Sequence, residues 1–476
     1  MSPDIGVRRL LARPGADPVA YDVILRIQDG RIAAIERGGD STRDQLAMPA
    51  LVNAHDHGYG VRTLAFGGVD DALEPWIASL RLRPRVDPYL ECLVAFARMA
   101  AAGIGATMHC HNSLRAERLV EEAAGVVRAA REVGIRLAFS CPILDRNAWV
   151  LGGPEALRPF LSERNWLALA PSIPRFAAAE EQLARVDAVA AAHAGPWVNV
   201  QYGPIGPQWC AERTLALIAE ASARTGRRVH MHLLESRRQR AWLDRTYPQG
   251  ITRFLDEIGL LSPRLAVAHG VWLREDECAL LAERGVTVVS NPSANLRLRS
   301  GSAPIGHLLA AGLPFAFGLD GTALDDDQDL LRELRLVRLL HGGTGLFPSL
   351  TAASLWQAAL VEGARVIDDA TDRGALEPGM AADILVLDYE AMAGDVLGGA
   401  AAENEVLLAR ATARHVQSLI VGGREVVRDG ALVNVDFAAA ERELTLKARA
   451  DVSRLGNERH LVIALQEAIR RYYQAG

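Results

Sequence analysis

Leu51-Val-Asn-Ala-His-Asp-His57 begins as an apolar run and ends in two histidines two residues apart. Extended backbone turns residues i and i+2 to the same side, so His55 and His57 are expected to present their imidazoles together at the end of one strand. The same pattern recurs downstream. His230-Met-His232-Leu-Leu-Glu235 ends the run at 229–232, Ala268-His269-Gly270 the run at 265–269, and Gly318-Leu-Asp320-Gly321 the run at 315–319. Further apolar runs at 107–110, 137–141, 198–202 and 286–290 bring the total to about eight, separated by longer Ala/Leu/Arg/Glu segments of helical period. Alternating βα units in that number predict an α/β fold built on a closed (β/α)8 barrel. A ninth β-like run at 167–176 competes with the eight.

Chemistry in such barrels gathers at the C-terminal ends of the strands, where these polar residues fall. Three imidazoles and a carboxylate converging there match one divalent metal of borderline softness: Zn2+, with Fe2+ as the alternative. A single histidine on a strand is usually a core or loop residue, and an isolated HxH is a weak signal. Co-occurrence at the ends of four separate strands carries the inference. His230 competes with His232 for one ligand position, because both could face the barrel mouth.

Outside the barrel, Val23–Ile35 reads as two β runs around Asp29-Gly30, a strong hairpin signal. Similar runs return at 383–388 and 416–430. Neither end of the chain has enough strands for a stable sheet, so the two are expected to pair as a small composite β-sandwich. The organisation expected is therefore 1–50 (first part of the β unit), 51–373 (barrel), 374–436 (second part of the β unit) and 437–476 (a helical tail packed on its own barrel).

Composition removes several alternatives. Of 476 residues, half are hydrophobic and 23% charged, and the formal net charge is −6. A weakly acidic chain lacks the basic footprint of a nucleic-acid binder. No apolar run approaches the roughly 20 residues needed to cross a bilayer. Five scattered cysteines without a CxxC pair suggest reduced thiols, and with no secretion signal at the start the expected location is the cytoplasm. Lys447 is the single lysine, which argues against a Schiff-base lysine, a phosphate-loop lysine or a carboxylated lysine bridging two metals.

Taken together, these motifs resemble the amidohydrolase superfamily. Pro49–His57 looks like its N-terminal metal motif. Val229-His-Met-His-Leu-Leu-Glu-Ser, Ala268-His-Gly-Val-Trp-Leu, Ser290-Asn-Pro-Ser-Ala-Asn-Leu and Gly301-Ser-Ala-Pro-Ile resemble its deaminase and chlorohydrolase branch. Gly374–Asp388 looks like that branch's return into the small β unit. The resemblance covers roughly residues 20–435. It implies that His55, His57, His232 and Asp320 hold one metal, that His269 sits beside the reacting group, and that Glu235 is the proton shuttle. Asp320 would also accept a proton from water. A divalent cation lowers the pKa of a coordinated water towards about 7, and a carboxyl that cycles between its two forms can carry a proton to a ring nitrogen or leaving group.

This chain departs from the branch in four places. Pro49-Ala50 replaces the usual Pro-Gly, and Leu319 stands before Asp320 where threonine is common. The loop after the fourth strand reads Tyr202-Gly-Pro-Ile-Gly-Pro-Gln-Trp-Cys, without the substrate-contacting histidine of many relatives. Thr107-Met-His109-Cys-His111 brings paired histidines to strand two. The substrate contacts expected are His109, His111, Trp76, Tyr202, Gln208, Asn295 and Asp325, the last as an attractor for a cationic, amidine-like group.

The reading is a metal-dependent hydrolase that deaminates an amidine-like carbon of an N-heterocyclic small molecule, acting as a homo-oligomer, most simply a dimer. The alternatives are hydrolytic dechlorination or cyclic-amide opening at the same site, and a non-catalytic metal- or ligand-binding barrel. A nucleic-acid deaminase is disfavoured by the charge and by the missing His/Cys-x-x-Cys zinc signature.

Overall fold

A computed structural model describes residues 4–38, 43–113, 116–321, 323–397, 399 and 401–475. Four strands open the chain: β1 (Ile5–Leu10), β2 (Ala20–Gln28), β3 (Arg31–Arg37) and β4 (Gln45–Pro49). Eight more follow: β5 (Leu51–Asp56), β6 (Ile104–Cys110), β7 (Arg136–Ile143), β8 (Val198–Pro204), β9 (Val229–Leu233), β10 (Leu265–His269), β11 (Thr287–Ser290) and β12 (Phe315–Phe317). They form one sheet in sequential order, parallel at every pairing, with helices between them. The last strand meets the first where the Leu319 and Asp320 N–H groups donate to the His55 carbonyl at 3.0 and 2.9 Å. This seam is tight. A Cβ on Gly318 would lie 2.6 Å from the His55 carbonyl oxygen, so only glycine fits there.

The barrel interior is narrow because the residues filling it are small. Ala54, Ala106, Ala138, Ala266 and Ala316 pack with Val366 and Ile367, which plug the far end. Larger apolar side chains face outward against the helices. Four strands follow the barrel: β13 (Ile384–Asp388), β14 (Val416–Val421), β15 (Arg424–Arg428) and β16 (Ala431–Leu432). They join the N-terminal strands in one eight-stranded sheet through β4 and β13, antiparallel from Pro49↔Ile384 to Gln45↔Asp388. Its core draws Val7, Leu25 and Ile32 from one end of the chain and Ile384, Val386 and Ile420 from the other, as the sequence leads one to expect.

The ninth β-like run is not a strand. Ser162 caps a helix at Glu163–Leu169, and a 3-10 turn at Ala170–Ser172 containing Pro171 follows. A proline lacks the N–H that a ladder needs. The C-terminal residues form two helices, Phe437–Ala450 and Val452–Ala475. The second lies across the helix Leu73–Ser79 and the segment around Leu151, where the Tyr472 hydroxyl donates to the Leu151 carbonyl at 2.6 Å. Among the described residues no helix is long and apolar enough to cross a membrane.

Candidate active site

The ends of β5, β9, β10 and β12 bring their polar residues to one point at the barrel mouth. Two of them reach it through left-handed backbone: His269 has φ 74° and Asp320 φ 59°, each followed by a glycine. Non-glycine residues held there are strained, and such strain clusters at functional sites. Asn53 and Asp56 hold the turn together. The Asn53 side chain donates to Asp56 at 2.9 Å and accepts from Leu319 N–H at 3.0 Å, and Asp56 accepts from Gly58 and Gly321 N–H. Neither was expected from the sequence, although Asn53 lies two residues before the first histidine of the opening motif and Asp56 between the two.

His55 Nε2 and His57 Nε2 lie 3.1 and 3.2 Å from the same oxygen, Asp320 Oδ1. The ligand atoms of His55, His57 and Asp320 fall within 4.8 Å of one another, and so do those of His55, His232 and His269. His57 Nδ1 lies 2.9 Å from the Cys110 carbonyl and His232 Nδ1 2.7 Å from the Ile205 carbonyl. A carbonyl only accepts, so each Nδ1 carries the proton and each Nε2 turns a bare lone pair inward. Lone pairs and a carboxylate oxygen converging without a donor among them are a donor set for a cation, and this ligand chemistry fits a divalent metal.

His230 takes a different place from His232. Both face the barrel interior, but His230 lies one layer deeper, with Nε2 2.8 Å from His55 Nδ1, whereas His232 borders the mouth. His55, Cys110 and His230 make a third cluster of potential ligands, closed off beneath the mouth.

Burial sets the protonation states. Burial, then Asp320 and Glu74, push Glu235 well above the usual carboxyl range. Burial would raise Asp320 too, but His55 and His57 set against its carboxylate outweigh it and hold that group well below. Two carboxyls in one site are thus shifted in opposite directions, the arrangement that separates an acid from an anion. Burial keeps His55, His232 and His269 neutral by lowering their pKa values. Glu235 Oε2 is 3.6 Å from His269 Nε2, and its N–H donates to Gln239 Oε1 at 2.7 Å.

A cavity of about 400 Å3 opens over these groups, walled by aromatic and aliphatic side chains with Glu235, His269 and Asp320 at its base. Trp76, from the helix Leu73–Ser79, lines it, as do His111 and Trp209. The other expected substrate contacts lie elsewhere. Tyr202 is on the outward parity of β8, and its hydroxyl accepts from Arg227 at 3.0 Å behind the barrel. His109 likewise faces outward from β6, between Phe96 and Phe139, and its Nε2 lies 3.1 Å from His111 Nδ1. His111 Nε2 in turn meets Glu122 at 2.9 Å, so both its nitrogens are engaged. Gln208 is buried behind the site and accepts from Gln239 at 2.5 Å. Asn295 is buried with Oδ1 2.8 Å from His269 Nδ1, which makes it a support of that ring. The Asp325 side chain lies outside the described residues.

A profile of the Amidohydrolase family matches residues 46–426. The chain belongs to the amidohydrolase family. It is therefore an enzyme of the hydrolase class that acts on carbon–nitrogen bonds. A 5'-deoxyadenosine deaminase of Methanosarcina mazei is 29% identical over 392 residues, 79% of this chain and 82% of that protein. An 8-oxoguanine deaminase of Pseudomonas aeruginosa is 29% identical over 439 residues, 87% and 92% of the two chains. Among solved structures, the atrazine chlorohydrolase of Arthrobacter aurescens, complexed with zinc, superposes with a TM-score of 0.77 at 22% identity, covering 93% of this amidohydrolase and 99% of that chain.

Proposed function

We propose that this amidohydrolase deaminates an amidine-like carbon of a purine-like heterocycle, releasing ammonia, with His55, His57, His232 and Asp320 holding one Zn2+. The observation that carries this reading is the convergence of His55, His57, His232 and Asp320, with Glu235 3.6 Å from His269, at the base of an aromatic cavity. The deaminase relatives, two of which act by name on 5'-deoxyadenosine and 8-oxoguanine, support the leaving group.

Bound to that donor set, a divalent cation supplies Lewis-acid activation of a water. Asp320, held as an anion, accepts a proton from that water. Glu235, protonated in its desolvated site, delivers its proton to the ring nitrogen next to the reacting carbon and recovers one from the hydroxyl of the adduct, while Asp320 passes its proton to the departing amine. His269, oriented by Asn295, offers Nε2 to the same region. Trp76 supplies a flat apolar wall on which a heterocycle stacks.

Hydrolytic dechlorination requires the same acid–base groups, and the fold shared with a chlorohydrolase keeps it as the second reading. A screen of aminopurines, aminopyrimidines and chloro-s-triazines with separate ammonia and chloride readouts tests the choice. Ammonia from the purines is expected; chloride release alone would overturn deamination. Lys447, exposed on the tail and paired with Glu443, is placed where it bridges no metals, in keeping with a single-ion site.

A further inference from the structure

The catalytic cavity has a neighbour. A second chamber of about 430 Å3 adjoins it, and Ile77, Asn112, Trp149 and Pro174 are among the residues lining both. The far wall of the second chamber is not part of the barrel. It comes from Leu465 and Ile469 of the C-terminal helix Val452–Ala475, both nearly inaccessible to water. The tail thus lines this chamber in addition to packing on the barrel.

Two charged side chains line this chamber, and both are arginines. Arg83 is neutralised: its guanidinium makes two bonds to Glu91, the closer at 2.6 Å. Arg81 is not. It makes no hydrogen bond or ion pair among the described residues, and its Nε is buried without an acceptor. Burial draws its pKa down, and the nearby Glu458 that opposes this is itself engaged by Arg454 at 3.0 Å. A buried Nε–H without an acceptor is costly unless a ligand completes it. A guanidinium also suits planar carboxylate or phosphate oxygens better than an ammonium would.

We infer that the chamber between Arg81 and the C-terminal helix is a subsite for an anionic group carried on an apolar arm, so that the substrate is a heterocycle with an acidic, extended substituent. The heterocycle lies over Glu235 and Asp320, the arm passes Ile77 and Trp149, and the anion ends on Arg81. This rests on the cavity being the substrate site, and its test does not depend on turnover.

Isothermal titration of the zinc-loaded full-length protein with 4-phenylbutyrate and with 4-phenylbutanol compares an arm ending in carboxylate with the same arm ending in hydroxyl. The carboxylate is expected to bind at least tenfold tighter. Arg81→Gln is expected to erase that difference and Arg81→Lys to keep part of it. Equal affinities, no binding of either probe, or a preference that survives Arg81→Gln (which would move the anion to Arg146 or Arg175 of the main cavity) would overturn the subsite. A failure to release ammonia in the substrate screen would strike the deamination reading and leave these titrations standing.

Discussion

Burial and the neighbouring Asp320 carboxylate push Glu235 well above the usual carboxyl range, towards the protonated form. Replacing it with glutamine preserves shape and removes the transferable proton. Glu235→Gln is expected to lower kcat for ammonia release by about 10²–10⁴-fold with metal content unchanged; a full rate would remove Glu235 from the proton path. Asn295 offers a second test, because support of His269 and contact with substrate have different signatures. If it holds the ring, Asn295→Leu should lower kcat by roughly 10–100-fold; a rise in KM alone would return it to the substrate. At this scale the sequence was informative about His55, His57, His232, His269 and Asp320, because each ends an apolar run and the ends of parallel strands must converge. It said little about His230, Gln208 and Asn295. Their roles depend on which layer of a closed barrel a side chain occupies, and one strand read alone carries no layer.

Elements show the same division. The eight strands were legible from their apolar runs, but the parity of each strand was not. On β8 and β6, alternation turns Tyr202 and His109 away from the mouth, and only a neighbouring element reveals which face is inward. Helical packing adds a pH-sensitive contact. Glu333, on the helix Leu330–His341, accepts from Ser293 N–H at 3.1 Å and also bonds the Ser293 hydroxyl, which accepts from Leu324 N–H at 3.0 Å in the loop after Asp320. Burial pushes Glu333 from 4.5 to about 7. The folded chain therefore keeps a proton that the unfolded chain releases, and stability falls as pH rises from about 4.5 to 7, then levels. Glu333→Gln imitates the protonated form. Urea unfolding at pH 5 and pH 8 should show the variant gaining on the native protein by on the order of 3 kcal/mol across that interval; a constant difference would mean that Glu333 does not titrate there.

For the whole molecule, the pairing of the two chain ends was expected because neither had enough strands alone, and β4 with β13 provides it. The sequence did not disclose the bolt between that sheet and the barrel. Arg136 at the start of β7 makes two hydrogen bonds to Asp383, at 2.9 and 3.1 Å, and stacks on Trp197, while Asp383 also accepts from Gly422 N–H. Both partners are largely buried, so Asp383→Ala leaves a guanidinium without its counter-ion and should cost about 3 kcal/mol of unfolding free energy. A loss below about 1 kcal/mol would mark the contact as an ordinary surface pair. The central claim, that chain-distant side chains meet around one cation, is tested most directly by titrating metal-free protein with Zn2+ while ammonia release is followed. The account predicts one tightly held ion per chain, activity that rises in proportion to it, and loss of both in His57→Ala and Asp320→Ala but not in His230→Gln. Turnover by the metal-free protein, or two ions needed per chain, would contradict it.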